Sequence, residues 1–229
     1  GARLPPVEVR LGTTRGTNAL LTRTGARTAL VTTRGHGDVL AIGTQDRPRL
    51  FELHVVKPAP LPERVLEVDE RLDVDGRVLR APDPARVRAD LEGLRAAGIE
   101  SLAICLLHAH TNPAHERLVA ALARQLGFAH VSVSSELARR EKLVPRAETT
   151  VLDAYLSPVL TAYVAELEAG LGGAPLAIMT SAGSLASGNN LTVNNSGIAT
   201  FGNVQALGTA TVNNSGTVVD ETIEIPNSS

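Results

Sequence analysis

Residues 83–133 constrain this chain most, because their hydrophobic period switches from helix to strand twice with little room between the elements. Asp83-Pro84 reads as a helix start, with Asp at the N-cap and Pro at the first helical position, where a missing N–H would have no intrahelical partner anyway. Val87, Leu91, Leu94 and Ala97 then recur every three to four residues until Gly98. Residues 99–107 are largely apolar and read as a buried strand. Asn112-Pro113 opens a second helix, with Leu118, Val119, Leu122 and Leu126 on one face, and Gly127 ends it before a strand over 129–133. This order predicts an α/β fold whose parallel or mixed sheet is joined by right-handed crossover helices.

The stretch GTTRGTNALLTRTG, residues 12–25, is the candidate functional turn. Val7, Val9 and Leu11 alternate with Glu8 and Arg10, as in a half-buried strand, and Thr17 reads as an N-cap before Asn18-Ala19-Leu20-Leu21. Such a turn, at the carboxyl end of a strand, presents backbone N–H groups and threonine hydroxyls to an anion. Thr13, Thr14 and Thr17 would equally serve to cap and fill a tight turn. Strand, turn and helix then recur: TALVTT over 28–33, the turn Arg34-Gly35-His36-Gly37-Asp38, and a short helical piece over 38–42. His36 reads as a solvated turn residue, with ligand contact as its alternative.

Residues 43–62 carry Pro48, Pro58, Pro60 and Pro62, which exclude a sustained helix or central strand and predict a long ordered loop with an extended segment. Asp73-Val74-Asp75-Gly76 reads as a hairpin turn before Val78-Leu79. The acids Glu67, Asp69, Glu70, Asp73 and Asp75 lack the twelve-residue ligand spacing of a calcium loop and read as a solvated acidic hairpin. His108, His110 and His115 include an H-x-H pair that could clamp a metal. Zinc needs further convergent ligands, and none is apparent, so loop and first-turn roles are expected and no metal site is assigned. Cys105, the single cysteine, reads as a buried core residue.

Residues 135–171 read as two helices broken near Pro145 and Pro158, the second carrying a long amphipathic face, and 175–180 as a final strand. From Ser187 the character changes. Gly, Asn, Ser and Thr dominate, Lys and Arg are absent as they have been since Arg146, and TVNNSGIAT at Thr192 returns as TVNNSGTVV at Thr211, which predicts a β-rich repetitive tail over 187–229 behind an α/β region over 1–186. Only 2% of residues are aromatic and the formal charge is -2, which disfavours stacking on nucleic acid and attraction to an anionic membrane. No apolar run suits a membrane span, so a cytoplasmic location is expected, with secretion as the alternative if the tail is the working part.

Taken together, residues from about Val7 to Leu185 resemble the hydantoinase A/5-oxoprolinase family. The resemblance rests on GTTRGTNALLTRTGARTALVTTRGHGDVLAIGTQDRP, VLEVDERLDVDGRVL, AICLLHAHTNPAHE, VSVSSELARREKLVPRAETTVLDAYLSPVL and PLAIMTSAGSL, in that order. Gln45-Asp46-Arg47-Pro48 and Val56-Lys57-Pro58 look most like bacterial ATP-dependent 5-oxoprolinases. The resemblance implies part of an actin-like ATPase fold, ATP and Mg2+ as cofactors, and a small cyclic-amide substrate, 5-oxo-L-proline or a hydantoin. In that chemistry ATP phosphorylates the amide oxygen and water attacks the activated carbon. It places Thr13, Thr14, Thr17 and Asn18 on the active cleft, with Thr180, Ser181 and Gly183 as a second group.

Family members carry a D-x-G-G-T-x-T-D phosphate loop, a second such loop and an S-G-P-x-x-G segment, none of which occurs in these 229 residues. The expectation is therefore a fragment, inactive alone. Two other readings stand beside it: a non-catalytic adhesion-type β-repeat protein, and a subunit that completes its site with a partner chain or with copies of itself.

Overall fold

The computed structural model describes residues 9–44 and 57–171, together with strand segments at 176–179, 185–187, 190–195, 199–200, 209–214 and 218–219. In chain order the first elements are β1 (Val9–Gly12), α1 (Arg15–Leu21), β2 (Thr28–Thr33), α2 (Val39–Ile42), β3 (Arg64–Val68), β4 (Arg71–Leu72) and β5 (Val78–Arg80). Then come α3 (Pro84–Ala96), β6 (Ser101–Cys105), α4 (Ala114–Gln125), β7 (His130–Val133), α5 (Ser134–Leu137), α6 (Leu143–Gly170) and β8 (Leu176–Met179). The chain divides into two units, one of residues 19–159 and one of residues 1–18 with 160–229.

The larger unit is built on a four-stranded parallel sheet in the order β3-β2-β6-β7. Thr28 lies opposite Ser101, and Ser101 opposite His130. Every residue of β2 and β6 is buried, as a parallel sheet covered on both faces requires. Successive side chains leave opposite faces. Ala29, Val31, Leu102 and Ile104 meet Val87 and Leu91 of α3 and Val119, Ala120 and Ala123 of α4. Leu30, Ala103 and Cys105 meet Ala147, Val151 and Ala154 of α6. Helix, strand, helix and strand over 83–133 thus form as the sequence predicts.

The caps explain the boundaries. Asp83 Oδ1 accepts the Ala85 N–H at 2.9 Å. Gly98 and Gly127 end α3 and α4 at φ of +79° and +82°, in the left-handed region that a side chain disfavours. Asp73 Oδ1 accepts the N–H groups of Asp75 and Arg77, tying the β4–β5 hairpin turn.

Two boundaries differ from expectation. Helix α1 begins at Arg15, not after Thr17: the Asn18 N–H already bonds Thr14 O at 2.8 Å, and Thr13 Oγ1 accepts the Arg15 N–H at 3.1 Å. Thr17 therefore lies inside the helix. Beyond α5, residues 143–170 form one helix rather than two. Pro145 falls in its first turn, where no intrahelical N–H bond is owed, and Pro158 removes one bond from a helix long enough to continue through it.

In the smaller unit β1 and β8 pair in parallel, Val9 opposite Leu176 and Gly12 opposite Met179. Strand β9 (Leu185–Ser187) joins β8 antiparallel, so this sheet is mixed. Further on, β10 (Asn190–Asn195) pairs in parallel with a later segment at Thr209–Asn214. The expected β-repeat tail otherwise falls largely outside the described residues, as do residues 45–56 of the proline-rich loop. Among the described residues no helix is long and apolar enough to cross a membrane.

Candidate functional site

In the smaller unit the threonine turn follows β1 directly. Thr13 is half-buried with its hydroxyl engaged at Arg15, while Thr14, Thr17 and Asn18 are exposed. The Arg15 guanidinium lies 4.6 Å from the centre of the Tyr163 ring, which holds the first turn against α6. Thr180, Ser181 and Gly183 lie outside the described residues. The strand leading to them, β8, ends beside the end of β1, since Met179 pairs with Gly12. Thr13 and Thr14 thus follow the carboxyl end of β1, the kind of edge where open α/β sheets bind ligands. No acidic residue occurs in the first turn of α1. Hydroxyls of this kind suit phosphate oxygens, and the turn offers no carboxylate for Mg2+.

The larger unit holds a polar cluster that sequence reasoning missed, also at the carboxyl edge of its sheet. Strands β2 and β6 are neighbours whose connections leave on opposite faces. Val39 and Leu40 of α2 pack with the α6-side cluster and α4 with the other, which makes the junction a topological switch point. Across it the Leu107 N–H donates to Thr33 Oγ1 at 2.8 Å. Thr33 in turn donates to Glu70 Oε1, and Glu70 Oε2 meets His115 Nδ1 at 2.6 Å. Both Glu70 and His115 are buried, so Glu70 is no part of a solvated acidic hairpin. Its two oxygens are engaged inward, one by Thr33 at the end of β2 and one by His115 of α4. Nor does His115 join His108 and His110, whose rings sit 6.1 Å apart.

Beside this relay lies a second one. Glu116 and Arg146 are both fully buried, with Arg146 NH1 3.9 Å from Glu116 Oε1. Glu116 accepts from Leu106 N–H (2.8 Å), Ser134 Oγ (2.6 Å) and Ser135 N–H (2.9 Å). Arg146 donates to Ser134 Oγ (2.9 Å) and to Leu106 O (2.8 Å), while its Nε has no hydrogen-bond partner among the described residues. Two buried charges at this spacing persist because three donors meet the Glu116 carboxylate and both terminal nitrogens of Arg146 find acceptors. The cluster ties the ends of β6 and β7 to α4 and α6. Burial pushes the Cys105 thiol up to about 11, against the downward pull of Arg146 and Ser134, which agrees with its reading as a core residue. Burial, and next the Arg146 charge, hold the His110 imidazole below its ordinary value.

Cavities open in the larger unit among the described residues. One, about 380 Å3, lies at the ends of β2 and β3, lined by Arg34, Asp69, Glu70, Arg71, Leu79 and Arg80. Asp69 bonds Arg80 at 2.7 Å and faces Arg34 at 3.6 Å, and Arg80 above all holds its carboxyl below the usual range. Another, about 560 Å3 and more apolar, is bounded by Leu40, Leu61, Val151 and Leu152. Its wall includes Thr44 and Lys57, which bracket residues outside the described ones.

A parallel sheet covered by helices on both faces defines an α/β protein. Residues 5–127 match the model of the hydantoinase/oxoprolinase N-terminal region, and the chain belongs to that family. It is 41% identical over 190 residues to the 5-oxoprolinase of Saccharomyces cerevisiae, covering 71% of this chain and 15% of that protein. It is 37% identical over 170 residues to the acetophenone carboxylase gamma subunit of Aromatoleum aromaticum, covering 67% of this chain and 23% of that one. Among solved structures, the ATP-dependent caprolactamase of Pseudomonas jessenii superposes with a TM-score of 0.69 at 28% identity, over 76% of this chain and 27% of that one. Acetone carboxylase, at 22% identity and a TM-score of 0.67, shares the fold. The chain spans about 15% of the length of the 5-oxoprolinase it matches.

Proposed function

We propose that this chain is the N-terminal part of an ATP-dependent enzyme that opens a small cyclic amide, 5-oxo-L-proline to L-glutamate or a hydantoin to its carbamoyl amino acid. The observation that carries this reading is the 41% identity to a 5-oxoprolinase across 71% of the chain. When bound, ATP would supply a phosphoryl group to the amide oxygen, activating the carbon so that water adds, the ring C–N bond breaks with its nitrogen protonated, and a second water releases phosphate. The chain's own contribution is positional. Thr13, Thr14, Thr17 and Asn18, with Thr180, Ser181 and Gly183 as a second group, would line the cleft and offer hydrogen bonds to anionic oxygens. The buried Glu116–Arg146 and Glu70–His115 pairs hold the carboxyl ends of β2, β6 and β7 in register, so that loops leaving those ends keep their geometry.

The isolated chain is inactive in this reading, because its sequence carries no D-x-G-G-T-x-T-D phosphate loop and it matches a small share of its relatives' length. Calorimetry with Mg-ATP should give no saturable heat, and tight binding would contradict the reading. A subunit role is the second reading, supported by the relative named as a gamma subunit. It predicts activity only on mixing with a partner chain. A third, a β-repeat tail with an adhesive role, draws its support from a coincidence: the two TVNNSG copies have the same offset as the parallel register that sets Thr192 opposite Thr211.

A further inference from the structure

The cavity at the ends of β2 and β3 carries an arrangement that folding alone does not explain. In the β4–β5 hairpin Arg71 lies directly opposite Arg80, a like-charge cross-strand pair of a kind that destabilises a ladder. Arg34 reaches the same cavity from the turn after β2. Among the residues lining it, Asp69 is the only acid turned to these guanidiniums, bonded to Arg80 at 2.7 Å and facing Arg34 at 3.6 Å. The other acid, Glu70, has both oxygens engaged inward by Thr33 and His115. Arg71 has no carboxylate within ion-pair distance among the described residues. Three cations therefore share one accessible anion, at a sheet edge where α/β proteins bind ligands.

Leu79 completes the wall and is two-thirds exposed, at 67%. An exposed leucine among guanidiniums suits a ligand with a charged end and a short carbon skeleton. We infer that this cavity binds a small organic carboxylate, its oxygens held by Arg71 and Arg80 and its carbons against Leu79. Guanidinium forks match carboxylate geometry and desolvate more readily than ammonium groups. A volume of about 380 Å3 suits a ligand of a few carbons. The site lies wholly within the larger unit and is independent of the cyclic-amide reading.

The test is a titration of the purified chain with butyrate at low salt, followed by NMR of the arginine Nε–H signals and the Leu79 methyl groups. Butyramide and inorganic phosphate serve as comparators. Butyrate should shift Arg71, Arg80 and Leu79 signals saturably, and butyramide should not. Arg71→Gln should weaken binding at least about ten-fold, the loss of one charge-assisted hydrogen bond, and Arg71→Lys should not restore it fully. Leu79→Ser should weaken butyrate and leave phosphate unchanged. Absence of saturation, equal affinity in Arg71→Gln, or phosphate binding as tight as butyrate would each overturn the assignment. Arg71 and Leu79 are exposed, so circular dichroism of both variants should match the parent and keep a negative result meaningful.

Discussion

Removing the Glu116 carboxylate should be among the most damaging single changes this fold can suffer. In Glu116→Ala the guanidinium of Arg146 stays buried, at 0% exposure, without its counter-charge. The N–H groups of Leu106 and Ser135 and the hydroxyl of Ser134 lose their acceptor in the same step. Breaking a buried ion pair from one side costs about 3–5 kcal/mol, a large part of the about 5–15 kcal/mol that holds a domain together. With a urea slope of about 2 kcal/mol/M, a loss of about 4 kcal/mol lowers the unfolding midpoint by about 2 M. Replacing both partners, Glu116→Leu with Arg146→Met, removes the stranded charge and should recover at least about 2 kcal/mol over the single variant. Urea melts followed by far-ultraviolet circular dichroism measure all three. A Glu116→Ala midpoint within about 0.5 M of the parent, or a double variant no better than the single, would refute the reasoning.

Gly25→Ala should destabilise by about 1–3 kcal/mol, because a Cβ there would clash with the Tyr155 ring, and Tyr155→Leu should relieve part of the loss in a thermal melt. The Cys105 thiol, raised to about 11 and buried, should resist a maleimide at pH 8 in the folded chain and react at once in urea. His110 should titrate below the ordinary imidazole value of 6.5, and Arg146→Met should move its midpoint upward in an NMR titration. Because that folded pKa is depressed, the unfolded chain binds the extra proton first. The His110 contribution to stability is thus complete above 6.5 and is lost as pH falls toward the folded midpoint.

The α/β framework was legible in the sequence because its signals are local. Asp83 and Pro84 mark a helix start, Gly98 and Gly127 mark ends, and the wholly buried strand over 101–105 is apolar after Ser101. Thr17 misled because a helix N-cap can be any of several nearby hydroxyls, and the backbone bond from Asn18 to Thr14 decides between them. The prolines misled because position within the helix, not presence, sets their cost. The polar clusters were hidden for a different reason. Glu70 and His115 are 45 residues apart, and Arg146 reaches Leu106 across 40, so only the folded sheet brings them together. One local signal did exist: His115-Glu116 occupies the first turn of a helix whose neighbouring face is apolar, and both turn inward.

A chimaera tests the proposed function most directly. Residues of this chain would replace the matching 190-residue segment of the yeast 5-oxoprolinase, and ADP release would be followed with and without 5-oxo-L-proline. Lactam-stimulated ADP release with glutamate as product is expected, lost when Thr13 and Thr14 are both changed to Val. A folded, soluble chimaera with no lactam-dependent turnover, or the same turnover from the 229-residue chain alone, would contradict the assignment.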